Sequence, residues 1–245
     1  MSETITLQAG ETEFDVYVAH PAGEPRGGLV LIHEIWGLVD HIRDVADRFA
    51  AEGWLVAAPD ILSHVGVEPA LGAELFAMLN SGDEEARSAA QPRMREALAT
   101  ARAPEYAAWA THALRTTVDL VEASPGIGER IGVVGFCFGG TYAFALAAAD
   151  DRIRAAVPFY GTAPDPGRMG EIRCPVLAIY GHHDPALIDA LPAVRREMAD
   201  AGVDFEALVY PEAAHAFFND QGLRYRADDA ADAWSRALRF LGTHI

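Results

Sequence analysis

The stretch Gly132–Ala143, GVVGFCFGGTYA, decides how the rest of the chain is read. An apolar run ends in a glycine, a cysteine and two more glycines, and an almost wholly apolar segment follows. Gly135-x-Cys137-x-Gly139 fits the nucleophile-elbow pattern, with cysteine where serine is more usual. The requirement is steric. A strand that turns at once into a helix holds its nucleophile in a strained conformation, and side chains two residues away on either side would collide. The following helix points its N-terminus at the sulfur, and that dipole favours thiolate and developing negative charge. The backbone N–H of Phe138 then faces an oxyanion. A second reading stays open beside this one. Free cysteine is among the most buried residue types, and Cys137 is then a small hydrophobe that fits its place.

The elbow needs a strand before it and a helix after it, and the pattern supplies both. RIGVVGF reads as a buried strand, and Thr141–Ala149 as a helix apolar on nearly all sides. Upstream, TITL and EFDVYVA read as two short strands, the second with the period-2 alternation of a half-buried strand. GGLVLIH and WLVAAPD are continuous apolar runs, as buried parallel strands are. Between them Ile42, Val45, Ala46 and Phe49 fall at helical spacing, with Gly53 as a stop. The alanine-rich middle, roughly residues 68–110, is helical by composition, with Pro92 interrupting its second segment. Downstream, IRAAVPFYG, CPVLAIYGHHD and DFEALVYP read as strands. Leu187, Leu191, Val194 and Met198 mark a helix ending at Gly202, and Ala230, Trp234, Ala237 and Leu241 mark a final one. The count is eight strands. Repeated strand–helix units imply a mostly parallel sheet with helices on both faces, an α/β fold. Length suits a single domain over residues 1–245, with about 63–110 as a helical insertion that forms part of a substrate pocket.

Ligand sites in such sheets lie beyond the carboxyl ends of the strands. Four strand ends carry polar groups: HEIWG, GFCFGG, GHHDP and PEAAHAF. A thiol nucleophile needs a base, and the base needs an orienting partner. Asp184 follows the seventh strand and His215 the eighth, both after Cys137 in the order nucleophile, acid, histidine. His215 is expected to take the thiol proton and Asp184 to fix its tautomer. Glu34 sits one residue past the third strand, in the loop that supplies the second oxyanion donor, and the N–H of Ile35 is the candidate donor. In apolar surroundings the Glu34 carboxylate is expected to face the cysteine; the bland alternative is a solvated loop glutamate. His182 and His183 suggest a metal at first sight, but adjacent residues in extended chain point opposite ways and no third ligand completes a set. Asp189 falls inside the next helix. His20, His33, His41, His64, His112 and His244 read as surface or satisfied polar residues, and Cys174 as packing.

Composition bounds the rest. The chain has 245 residues, 51% hydrophobic and 22% charged, enough to bury a core without staples. A formal net charge of −17 repels phosphate backbones and anionic membranes, so no nucleic-acid or membrane partner is expected. It also gives no long-range help in collecting anionic substrates, a task left to local arginines. Two cysteines and an N-terminus that is neither basic nor apolar point to a cytoplasmic protein without a signal peptide. No apolar run approaches a membrane span.

HEIWGL, AAPDIL, GFCFGG, GHHDP and HAFFND…RY…AADAWSRALRFL together resemble the dienelactone hydrolase (carboxymethylenebutenolidase) family of α/β-hydrolases, from residue 28 to the C-terminus. A cysteine elbow combined with a glutamate after the third strand is what makes the resemblance specific. It implies a Cys137–His215–Asp184 triad and Glu34 as an extra acid that keeps the thiol in a less reactive resting state until substrate displaces it. It implies Ile35 and Phe138 as oxyanion donors, with Trp36, Tyr160 and Asn219 around the substrate. It implies no cofactor and no metal, a small ester or lactone as the partner molecule, and a monomer or weak homodimer. Two positions depart from the family. Members that act on dienelactone grip its carboxylate with arginines, one of them four residues after the catalytic histidine, where Asn219 stands here. The other comes from the middle section, where Arg87, Arg93, Arg95 and Arg102 are available. After PDIL, Ser63-His64 replace a family-typical arginine. Other readings are a general carboxylesterase or thioesterase on the same fold, a non-enzymatic small-molecule-binding relative, and a redox-sensing thiol protein.

Overall fold

The computed structural model describes residues 1–245. Eight strands form one sheet: β1 Ser2–Ala9, β2 Thr12–Ala19, β3 Gly28–Ile32, β4 Leu55–Pro59, β5 Ile131–Phe136, β6 Ile153–Phe159, β7 Val176–His183 and β8 Phe205–Ala214. Their order is β1-β2-β4-β3-β5-β6-β7-β8. The two β1 and β2 pairings are antiparallel and the rest are parallel. The helices are α1 Asp40–Ala51, α2 Pro69–Leu79, α3 Glu84–Ala97, α4 Pro104–Ala123, α5 Phe138–Ala149, α6 Pro166–Met169, α7 Pro185–Asp200 and α8 Ala227–His244. None is long and apolar enough to cross a membrane.

The continuous apolar runs are explained by cover on both faces. In β3, Val30 and Ile32 join the core under α4 and α5, while Leu29 and Leu31 join the core under α1 and α8. In β5, Ile131 and Val133 face the first core, and Val134 and Phe136 the second. The chain runs from β3 to β4 on one side, then returns to place β5 on the other side of β3. This is the topological switch point, where two strand ends diverge and leave a crevice. Ile32 pairs with Gly135 there, so the residues just beyond, Glu34 and Cys137, leave neighbouring strands on one edge.

Three details depart from the sequence pattern. Pro92 does not interrupt its helix: α3 runs through it from Glu84 to Ala97. Proline removes the bond to the carbonyl of Ser88, but both residues are exposed, so water can take that carbonyl. The eighth strand continues past Pro211 to Ala214, because β7 extends to His183 and pairs with it across a register shift. Of the helices that begin within residues 63–110, α4 belongs to the main core from Tyr106 onward. The apolar stripe of α4, including Ala110, Leu114, Val118 and Val121, is fully buried in the main core.

Candidate active site

Gly135, Gly139 and Gly140 make the elbow possible by backbone contact. A Cβ on Gly135 would lie 2.0 Å from the carbonyl oxygen of Gly139, and one on Gly139 would lie 2.1 Å from that of Ile32. One on Gly140 would lie 2.4 Å from the carbonyl oxygen of Phe159. With no side chains in the way, α5 starts directly against the ends of β3 and β6. Cys137 then turns the chain at φ 57°, ψ −111° and is half-buried. Its N–H donates to the carbonyl of Phe159 at 3.0 Å, which pins the turn to β6.

His215 follows β8, and its Nδ1 lies 2.5 Å from Oδ2 of Asp184, which follows β7. Burial pulls the imidazole pKa down, but the Asp184 hydrogen bond and the nearby Cys137 thiol outweigh it and push it up to about 10. The carboxylate therefore both fixes the ring and favours its charged form. Glu34 is 2% exposed. Its Oε2 accepts from Nδ2 of Asn219 at 2.6 Å. Burial pushes the Glu34 carboxyl up to about 7 against the opposing effects of Asn219 and His215. It thus exchanges its proton near neutral pH, inside the site.

Glu34, Ile35, Trp36, Cys137, His215 and Asn219 line one cavity of about 630 Å³. Its far wall is Phe76, Leu79, Arg87 and Met94 from α2 and α3, with Leu223 and Arg224 from the loop after β8. A second cavity of about 470 Å³ lies beyond Trp36, Phe76 and Asn219 and contains neither Cys137 nor His215. The N–H of Ile35 makes no backbone hydrogen bond. That of Phe138 opens α5, where the first N–H groups of a helix lack intrahelical acceptors. Both are therefore available to an oxyanion beside the sulfur.

Tyr160 is not part of the cavity wall. It is 1% exposed, with its ring centroid 5.0 Å from that of His215. Of the middle arginines, Arg87 lines the cavity, whereas Arg93 pairs with Glu74 at 2.7 Å. Arg224, the arginine of the RY pair in the C-terminal stretch that carries the resemblance, reaches the cavity from the loop after β8. His182 and His183 are exposed at the end of β7, and Asp189 lies within α7. Cys174 is buried and its thiol is pushed up to about 12 by that burial, which makes it inert.

His33 has a structural task with a direct bearing on the site. Its Nε2 accepts from the Ile61 N–H at 3.1 Å, so the ring proton is on Nδ1, which donates to the Glu34 carbonyl at 2.7 Å. Burial lowers its pKa and keeps it neutral. It staples the Glu34–Ile35 backbone to the loop after β4. Asp60, through Leu62, Ser63 and the Ser63 hydroxyl, orders that same loop.

The family model described as "Dienelactone hydrolase family" matches residues 14–245. A protein of Saccharolobus solfataricus provisionally named carboxymethylenebutenolidase is 29% identical, over 98% of each chain. One of Yersinia pestis with the same provisional name is 26% identical, over 99% of this chain and 91% of its own. Among solved structures, a provisionally named dienelactone hydrolase from Klebsiella pneumoniae superposes with a TM-score of 0.83 at 26% identity. That likeness covers 100% of this chain and 99% of the other. With a cysteine elbow, an Asp–His pair and a buried glutamate meeting at the switch point of such a sheet, the chain belongs to the dienelactone hydrolase family and is a hydrolase with the α/β-hydrolase fold.

Proposed function

We propose that the protein cleaves small carboxylic esters or lactones through a thioester on Cys137. The observation that carries this reading is the single cavity in which a cysteine at positive φ, a histidine held at 2.5 Å by an aspartate, and a backbone N–H without a partner come together. His215 accepts the Cys137 proton, and the sulfur adds to the substrate carbonyl. The N–H groups of Ile35 and Phe138 hold the oxyanion. As the intermediate collapses, the C–O bond breaks and His215 returns its proton to the leaving oxygen. His215 then takes a proton from water, hydroxide adds to the thioester, and the thiol leaves. A lactone gives one ring-opened hydroxy acid, so its acyl and alcohol parts never separate. No cofactor enters these steps.

Glu34 is the resting-state acid in this account. Near neutral pH its carboxyl is partly protonated, and one oxygen is already held by Asn219. As a carboxylate it competes with the thiolate for the charged His215, so the sulfur keeps its own proton until substrate occupies the site. Asn219 serves Glu34 and brings no charge to the substrate. A carboxylate on the substrate is met instead by Arg87 and Arg224 on the far wall. The reading takes the enzyme to be a monomer or weak homodimer in the cytoplasm.

The test compares wild type with Cys137→Ala on an aryl acetate, an aliphatic lactone and a thioester. The expected result is a loss of at least about a thousandfold in kcat on each substrate cleaved by wild type. Full activity in the variant contradicts the mechanism. The ranking of the three substrates separates a lactone hydrolase from a general carboxylesterase or a thioesterase.

A further inference from the structure

Three residues other than glycine have positive φ in this chain: Cys137 at 57°, Tyr160 at 38° and Ala216 at 63°. All three are at the site. Cys137 is the turn of the elbow, and Ala216 follows His215 and shapes the turn that presents it. Such conformations cost of order 1–3 kcal/mol each and persist where the surroundings enforce them. The mechanism above gives Tyr160 no task.

Its position is fixed from both sides. Phe136 pairs with Phe159 in the parallel register of β5 and β6, so Cys137 and Tyr160 leave adjacent strands side by side. The Tyr160 N–H donates to the carbonyl of Ile179 at 2.7 Å. Gly161 packs against the Gly140 backbone so closely that a Cβ on it would lie 2.3 Å from the Gly140 carbonyl carbon. The ring is wedged among Phe136, Phe159, Phe217 and His215. Yet the hydroxyl is buried and has no hydrogen-bond partner. Phenylalanine would fill this apolar wedge as well, without burying an unpaired hydroxyl. The charged or titratable groups that act on this hydroxyl are Glu34 and Cys137, with the His215 ring alongside and Asp184 behind it. Burial, reinforced by Glu34 and Cys137, holds the phenol pKa well above its usual value, so it keeps its proton and remains a donor.

We propose that the Tyr160 hydroxyl is a further catalytic group, which donates a hydrogen bond to the Cys137 sulfur once that sulfur is charged and so holds the attacking thiolate. In the resting enzyme the hydroxyl bonds neither the sulfur nor any other group, and a neutral thiol is too weak an acceptor to draw it in. When the proton passes to His215, the sulfur becomes a strong one. Glu34 and Tyr160 then act in opposite directions on one atom: the acid suppresses the thiolate and the phenol supports it. The proposal rests on Cys137 being the nucleophile.

The test measures iodoacetamide alkylation of Cys137 against pH in wild type and Tyr160→Phe, each also in a Glu34→Gln background, beside kcat on an aryl acetate. Loss of one charge-assisted bond is expected to raise the alkylation midpoint by about one pH unit and to slow alkylation about tenfold at neutral pH. kcat should fall by a similar factor with little change in KM. The same shift should persist with Glu34→Gln, and the melting temperature should not fall, because the hydroxyl holds nothing in the resting fold. Placing 3-fluorotyrosine at position 160, a stronger donor with the same ring, should move the midpoint down. An unchanged midpoint in Tyr160→Phe, or a shift that vanishes with Glu34→Gln, overturns the proposal while leaving the Cys137 mechanism intact. Full activity of Cys137→Ala overturns both.

Discussion

Glu34 is costly to the folded protein. An acid whose pKa rises from about 4.5 to about 7 on folding binds its proton more tightly in the native state. The native state therefore loses stability relative to the unfolded chain as pH climbs through that window. The contribution is fully present below pH 4.5 and gone above 7, worth about 3 kcal/mol. Glu34→Gln removes the ionisation. The variant should melt higher than wild type at pH 8, with the gain shrinking to nothing near pH 4.5, in calorimetry across that range. An equal difference at both pH values would mean that Glu34 does not titrate in the window. The sequence makes Glu34, Cys137, Asp184 and His215 visible because their residue types and places after strands are local facts. It does not reveal the partners that tune them. Asn219 meets Glu34 across 185 positions, and His33 works through two backbone groups that the folded loops bring to it. Asn219 is visible as an absent arginine, which says what it is not and gives no hint of its bond.

At the scale of elements, the elbow stands on contacts that only glycine permits. Gly139→Ala puts a methyl against two carbonyl oxygens of the third-strand end, Ile32 and His33, which are backbone and cannot swing aside. Destabilisation of about 3 kcal/mol is expected in urea unfolding, together with loss of hydrolysis. Gly167→Ala is the control, since an added methyl there meets nothing within 4 Å. Comparable effects of the two would remove the steric argument for the elbow. The alternation of strands and helices was readable because β3, β4 and β5 are apolar throughout while α1 and α8 show their buried faces every three to four residues. Element ends were less so. The last residues of β8 pair only because β7 runs on beside them, and α3 tolerates Pro92 only because the carbonyl it orphans faces water.

Over the whole molecule, a net charge of −17 surrounds a cavity that contains Arg87 and Arg224. On the proposed reading the field slows the approach of anionic substrates, and the two arginines are the groups that would hold them. For an aryl ester carrying a carboxylate, kcat/KM should therefore rise with added salt, while that of a neutral ester stays flat. Substituting both arginines by alanine should raise KM for the charged ester about tenfold and leave the neutral one unchanged. Equal losses on both esters would mean that the arginines shape the wall and do not read charge. The net charge was legible at once, and the concentration of two cations at one mouth was not, because α3 and the loop after β8 meet only in the fold.

The central claim is that Cys137 carries the acyl group as a thioester, and intact-mass spectrometry of enzyme quenched in acid during steady-state turnover tests it most directly. With an aryl acetate, the protein should gain the mass of one acetyl group, mapped by peptide analysis to Cys137 and discharged by hydroxylamine. An acylated fraction on any other residue, or steady turnover with Cys137 unmodified at every quench time in an enzyme shown to accumulate product in a burst, would contradict it.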